Sequence, residues 1–204
     1  MPFAAPQKRT QSQEYWVIAS QQRFGAANSV LVFSGTIKVA DVLKGADVKL
    51  ISDFDRKYSW ELHRIIQRNV TYSRVEAIKD NYLNNRQKRV KFFPALTVSL
   101  LPLSSGSLGN SYSPGDGFLG LSGISLLGPD GTEFRDMLPE DSPYWNYPAR
   151  LSWSLGEVVA VVIDGQHRIE ALRRFAHEFE VVGRESESLP VSFMLFSPET
   201  RPIE

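Results

Sequence analysis

The chain has no cysteine and only three histidines, at 63, 167 and 177, among its 204 residues. Disulfides and thiolate ligands are therefore excluded, and three scattered histidines argue against a zinc site. No run approaches the roughly 18 apolar residues that a membrane helix needs. The opening MPFAAPQKRTQSQ lacks the apolar core of a secretion signal, so a cytoplasmic protein is the expectation. An excess of charge is missing too: 23 basic residues balance 23 acidic ones. That argues against a protein that coats nucleic acid through bulk charge.

What is present points to a folded α/β chain. The apolar fraction, 42%, is close to that of ordinary globular domains, and 204 residues suit one domain with an insertion. The charge is unevenly placed. Between Arg56 and Lys91 there are ten Lys/Arg against three acids, leaving 13 basic and 20 acidic residues elsewhere. Such a segment is either a solvated helix surface or a local anion-binding face, with Arg64, Arg74, Arg86, Lys88, Arg89 and Lys91 as the candidate DNA contacts.

Taken in order, residues 1–13 read as a polar, disordered tail. Tyr15 to Ala19 and Ser29 to Phe33 read as a hairpin or two early strands, and Val39 to Leu43 as a short helix. Asp53 to Gln67 suits a helix. Ser73 to Leu83 is a clearer one, with Ser73 as N-cap, Glu76 at capping-box spacing, and Val75, Ile78 and Tyr82 as the apolar stripe. Phe92 to Leu101 reads as a strand entered through Pro94.

Residues 102–150 form a long Ser/Gly-rich insertion, acidic overall, in which Ile124–Leu127 and Thr132–Phe134 are placed to pair across a Pro-Asp-Gly turn. It is a flexible excursion, a lid or a partner-binding loop. Tyr144, Trp145, Tyr147 and Trp153 are read as packing residues, with base stacking as the sharper alternative.

The most informative stretch is EVVAVVIDGQHRIEALRRFAHEF, Glu157 to Phe179. Val158 to Ile163 is a β-branched, apolar run of the kind buried on both faces of a sheet. After Asp164 and Gly165 the period changes. Ile169, Leu172, Ala176 and Phe179, widened by Ala171 and Phe175, form a helical stripe. The first helical turn thus carries Gln166, His167 and Arg168. Open N–H groups and the helix dipole make such a turn a phosphate site, or else a plain strand–helix junction with solvated polar residues. A further strand, Leu189 to Phe196, completes a strand–helix–strand unit, for which a right-handed crossover between parallel strands is expected.

Asp164, Gly165, Gln166, His167 and Arg168 spell DGQHR, which resembles the signature of the DGQHR-domain family. That family includes DndB-like proteins of DNA phosphorothioate modification and bacterial defence, and is similar in turn to the wider ParB/sulfiredoxin-like fold. Gln67-Arg68, a helix and a Pro-led strand resemble the first signature region of ParB-like domains, here without the proline between Gln67 and Arg68. The resemblance covers about residues 60–101 and 155–196.

The resemblance implies an α/β, ParB/sulfiredoxin-like mixed sheet with flanking helices, and ATP with Mg²⁺ at the turn. Gly165 and the first amides would cradle phosphates, while Arg168 would pair with them and Arg68 complete the pocket. His167 would donate to a phosphate, Gln166 orient water and Asp164 hold the metal or cap the helix. Sulfiredoxin chemistry needs a cysteine in this turn and is excluded. Expected partners are DNA, other proteins of the modification system and a second copy of the chain, with no membrane. The expected activity is slow ATP hydrolysis in an accessory or regulatory protein; the alternatives are a non-enzymatic DNA-binding scaffold and, more weakly, a ParB-like nuclease. Relatives of this kind usually continue further, so the chain reads as a C-terminally shortened form.

Overall fold

The computed structural model describes residues 10–24, 28–45, 47–54, 70–83, 93–104, 107–108, 122–133, 146–178 and 187–196. They form a mixed α/β arrangement dominated by one nine-stranded sheet. The elements are β1 (Tyr15–Phe24), β2 (Asn28–Lys38), α1 (Val39–Lys44), β3 (Val48–Lys49), a 3-10 turn (Ile51–Asp53) and α2 (Tyr72–Ile78). A π-turn (Lys79–Leu83) comes next, then β4 (Leu96–Ser104), β5 (Ser107–Leu108), β6 (Ile124–Leu127) and β7 (Asn146–Trp153). The chain continues through β8 (Val158–Asp164), α3 (Gln166–Glu178) and β9 (Ser188–Phe196).

Strand order is β3-β8-β4-β9-β2-β1-β7-β6, with β5 pairing β4 off that path. The first two strands form the expected hairpin, longer than the apolar runs alone indicated, with Val17 opposite Gly35 and Phe24 opposite Asn28. Among the described residues only β3/β8 and β4/β9 are parallel. The expected parallel crossover from β8 to β9 is not formed. β4 lies between them, antiparallel to β8 and parallel to β9, so β8 and β9 run in opposite directions.

The core explains why β8 is apolar throughout. On one side Val158, Ala160 and Val162 join Leu96, Val98, Leu100, the helix α3 and Val75 of α2 in the main cluster. On the other, Val161 packs with Leu101 and Ile51 in a smaller cluster under Phe54. Burial on both faces removes the alternation that a one-sided strand would show. Ile169, Ala171, Leu172 and Phe175 of α3 are buried as their spacing predicts. Each of the larger side chains contributes on the order of 1.5–3 kcal/mol of hydrophobic stabilisation.

Three sequence expectations are corrected. The N-cap of α2 is Thr71, without a side-chain cap, and Ser73 lies inside the helix. Asp53 closes a 3-10 turn; the rest of the helix expected to Gln67 falls on residues outside those described, apart from Phe54, which is extended. Residues 146–150, placed in the insertion, begin β7, whose inward residues Ala149, Leu151 and Trp153 are fully buried. β6 pairs with β7, and across 128–131 the described residues of the expected hairpin form one bridge, Leu127 with Glu133.

The indole of Trp153 stacks on Tyr15 at 5.3 Å and 5° and lies tilted against Phe193 at 5.5 Å. Trp153 is therefore a packing residue, as the sequence reading held. The disordered tail expected to residue 13 is corrected from residue 10 on: the backbone N–H of Trp153 donates to Ser12 Oγ at 2.9 Å, and Gln11 forms a β-bridge with Ser154. Tyr144, Trp145 and Phe179 lie outside the described residues. No described helix is long and apolar enough to cross a membrane.

Candidate functional site

The DGQHR turn sits where β8 ends beside the start of β4. The ladder between them slips at this point: Thr97 faces Asp164 whereas Val98 faces Val162, which leaves Ile163 as the extra residue of a bulge. A bulge bends the strand and re-aims the residues beyond it. The chain then reverses at Gly165, whose φ of +102° belongs to glycine. A Cβ there would sit 2.5 Å from Leu96 Cδ2 and 3.0 Å from Arg168 Nη2. The Gly165 carbonyl accepts the N–H groups of both Arg168 (3.0 Å) and Ile169 (3.1 Å), closing the first turn of α3. The N–H of Gln166 stands before that ladder begins.

Each side chain of the motif has a definite place. Asp164 is 78% exposed and takes Arg168 Nη2 at 3.1 Å, so it does not cap the helix. Gln166 is buried, with 6% of its surface exposed. His167 Nε2 accepts the backbone N–H of Thr71 at 3.0 Å. An acceptor at Nε2 means the neutral ring carries its proton on Nδ1. This bond ties the first turn of α3 to the first turn of α2.

Arg168 differs most from its expected role. Its guanidinium donates to the carbonyl of Pro94, to that of Ala95 at 3.4 Å from both terminal nitrogens, and to Asp164. Its side chain is only 13% exposed. In this arrangement the forked face needed for a bidentate phosphate pair is occupied by main-chain oxygens, and Arg168 clamps α3 to the segment that enters β4. Burial pushes its pKa below the ordinary arginine value; Asp164 opposes that shift and Arg74 adds to it. Arg74 stands on α2 three residues after Thr71, whose N–H is held by His167 of the turn. Arg74 is exposed on α2 and has no hydrogen-bond or ion-pair partner among the described residues. Of the basic residues considered for anion binding, it is the one that lies among the described residues. Arg64, Arg68, Arg86, Lys88, Arg89 and Lys91 lie outside the described residues.

The remaining arginines of α3 are committed to structure. Arg173 makes a two-pronged pair with Asp53, both contacts 2.9 Å, and docks the 3-10 turn on the helix. Arg174 bridges Glu170 at 3.3 Å and Glu76 at 3.1 Å. Glu170 thus turns towards α2 rather than towards Asp164, and the two acids do not combine into a metal pair. Among the described residues, no group of three or more His, Cys, Asp or Glu is placed to hold a metal ion. In comparisons with known proteins, no family model, no curated protein and no solved structure matches the chain.

Sequence reasoning missed Thr71 as a neighbour of the turn. Its only local signal was the start of a helix, and contact with residue 167 bridges 96 positions.

Proposed function

We propose that the 164–168 turn binds the phosphates of a nucleoside triphosphate, and that the chain is a DndB-like accessory protein of DNA modification on a ParB/sulfiredoxin-like fold. One observation carries the reading: a glycine-backed helix start carries the Arg168–Asp164 pair and is tied through His167 to Thr71, three residues before Arg74 on α2. Positive potential at a helix N-terminus favours a multivalent anion. Gln166, only 6% exposed, adds a polar side chain to the same first turn.

The division of labour differs from the simplest carry-over of the motif. Arg74 pairs with phosphate oxygens, Arg168 holds the turn in shape, and His167 pins the turn to Thr71 through Nε2. Mg²⁺ is commonly held by one or two carboxylates together with substrate phosphates, and the single Asp164 fits that mode. DNA binding through the basic segment 56–91 belongs to the same proposal. The ion pair that occupies Asp164 favours, as a second reading, a scaffold or DNA-binding regulator that binds nucleotide without hydrolysing it.

Calorimetric titration with ATP, CTP and GTP plus Mg²⁺ tests binding, with phosphate release followed over hours. Saturable binding weakened in Arg74→Ala supports the reading, and phosphate release separates the ATPase from the scaffold. Equal affinity in wild type and Arg74→Ala would remove Arg74 from the site. DNA affinity that does not respond to ATP would separate the two functions.

A further inference from the structure

Four large apolar side chains are exposed among the described residues: Trp16 (59%), Ile18 (46%), Val70 (41%) and Tyr72 (66%). The first two lie on β1. The other two flank Thr71, the residue whose N–H is held by His167 of the turn. Tyr72 thus exposes an aromatic ring one residue from the Thr71 contact with the turn, a composition that suits a ligand site better than a solvated helix end.

Tyr72 is also held in place. The guanidinium carbon of Arg174 lies 4.4 Å from the centroid of its ring. Arg174 is itself fixed by Glu170 at 3.3 Å and Glu76 at 3.1 Å, one acid from each helix. One face of the ring therefore rests on a braced cation, while the residue as a whole is two-thirds exposed. A pre-oriented ring loses little freedom when a second flat group stacks on it. The helix α3 connects the two places: Gly165 and Arg174 are nine residues apart, about 13 Å along a helix axis.

We infer that Tyr72 is the stacking platform for the base of the nucleotide whose phosphates occupy the 164–168 turn. The inference rests on that phosphate reading and deepens it. Aromatic stacking reads a flat face rather than a hydrogen-bonding edge, so the platform accepts different bases. It favours purines, whose larger face overlaps more of the ring. ATP and GTP should therefore bind alike, and both more tightly than CTP.

The test compares inorganic tripolyphosphate with ATP, GTP and CTP, each with Mg²⁺, by calorimetry on wild type, Tyr72→Ala and Tyr72→Phe. The expected result is nucleotide binding tighter than tripolyphosphate binding. Tyr72→Ala should weaken the purine nucleotides about tenfold, in keeping with the loss of one stacked base, and leave tripolyphosphate unchanged. Tyr72→Phe, which keeps the ring, should restore nucleotide binding. Nucleotides no tighter than tripolyphosphate would overturn the platform while sparing the phosphate site. Equal losses for tripolyphosphate and nucleotides in Tyr72→Ala would overturn it too, marking Tyr72 as a structural residue of α2. Failure of tripolyphosphate and every nucleotide to bind wild type would overturn the phosphate site and the platform with it.

Discussion

Replacing Gly165 by alanine should destabilise the protein by about 3 kcal/mol. Two terms make up that figure. A φ of +102° lies in a region that a side chain makes unfavourable, at a cost of about 1–3 kcal/mol. The new methyl would also meet Leu96 Cδ2 at 2.5 Å and Arg168 Nη2 at 3.0 Å. Leu96 is only 1% exposed, so its side chain has little room to retreat, and overpacking of this kind costs about 1–3 kcal/mol. For a chain of this length the combined loss lowers Tm by about 6–12 °C. Gly156→Ala is the matched control: nothing stands within 4 Å of its added Cβ and its φ lies outside the left-handed region, so the change should be neutral or slightly stabilising. Urea unfolding of wild type and both variants, with unchanged m-values, measures the difference. A Gly165→Ala loss below about 0.5 kcal/mol would refute the strained, close-packed turn on which the site depends.

Other outcomes rest on the same contacts. Ser99 is fully buried on β4 and its hydroxyl has no partner, so Ser99→Ala should be neutral or stabilising by about 1 kcal/mol in urea unfolding; a clear loss would reveal a bond that the geometry does not contain. Burial acts to raise the Asp53 carboxyl, but the Arg173 hydrogen bonds, the Leu50 N–H and the charges of Arg173 and Lys49 outweigh it and hold the group below its ordinary 3.8. A lowered pKa stabilises the fold above that value, and the contribution is lost as pH falls through the folded pKa. Stability measured between about pH 5 and pH 2 should therefore fall less steeply in Arg173→Ala than in wild type, and identical profiles would contradict the assignment. Tyr15 Oη donates to the buried Asp47 at 3.1 Å, and burial, reinforced by Asp47, pushes its pKa far above the ordinary tyrosine value. Tyr15→Phe should cost about 1–2 kcal/mol in urea unfolding, because Asp47 keeps the Gln13 N–H at 3.0 Å as a partner.

Much of the site's framework is written locally. The change from a solid apolar run to a 3.6-residue stripe at Asp164-Gly165 marks the end of β8 and the start of α3, because both periods are properties of single segments. The β7 strand carried a signal too. Tyr147, Ala149, Leu151 and Trp153 alternate with Asn146, Pro148, Arg150 and Ser152, and the inward set is the more buried one. The surrounding Pro and aromatic residues obscured that alternation. The insertion of β4 between β8 and β9 was not legible, since strand order is decided by pairing across long separations. Nor was the fate of Arg168. Its acceptors are the carbonyls of Pro94 and Ala95, and main-chain oxygens leave no mark in a sequence. The sequence did place an arginine at the turn; only the fold reveals that Thr71, at the start of the helix that carries Arg74, meets it.

The most direct measurement is the affinity of wild type and Arg74→Ala for Mg-ATP, determined at two or three salt concentrations. The account predicts saturable binding that weakens with salt, with a clear loss and a shallower salt dependence in Arg74→Ala. Wild-type binding that is absent at low salt, or that is untouched by the Arg74 substitution, would contradict a phosphate site at the 164–168 turn built as described.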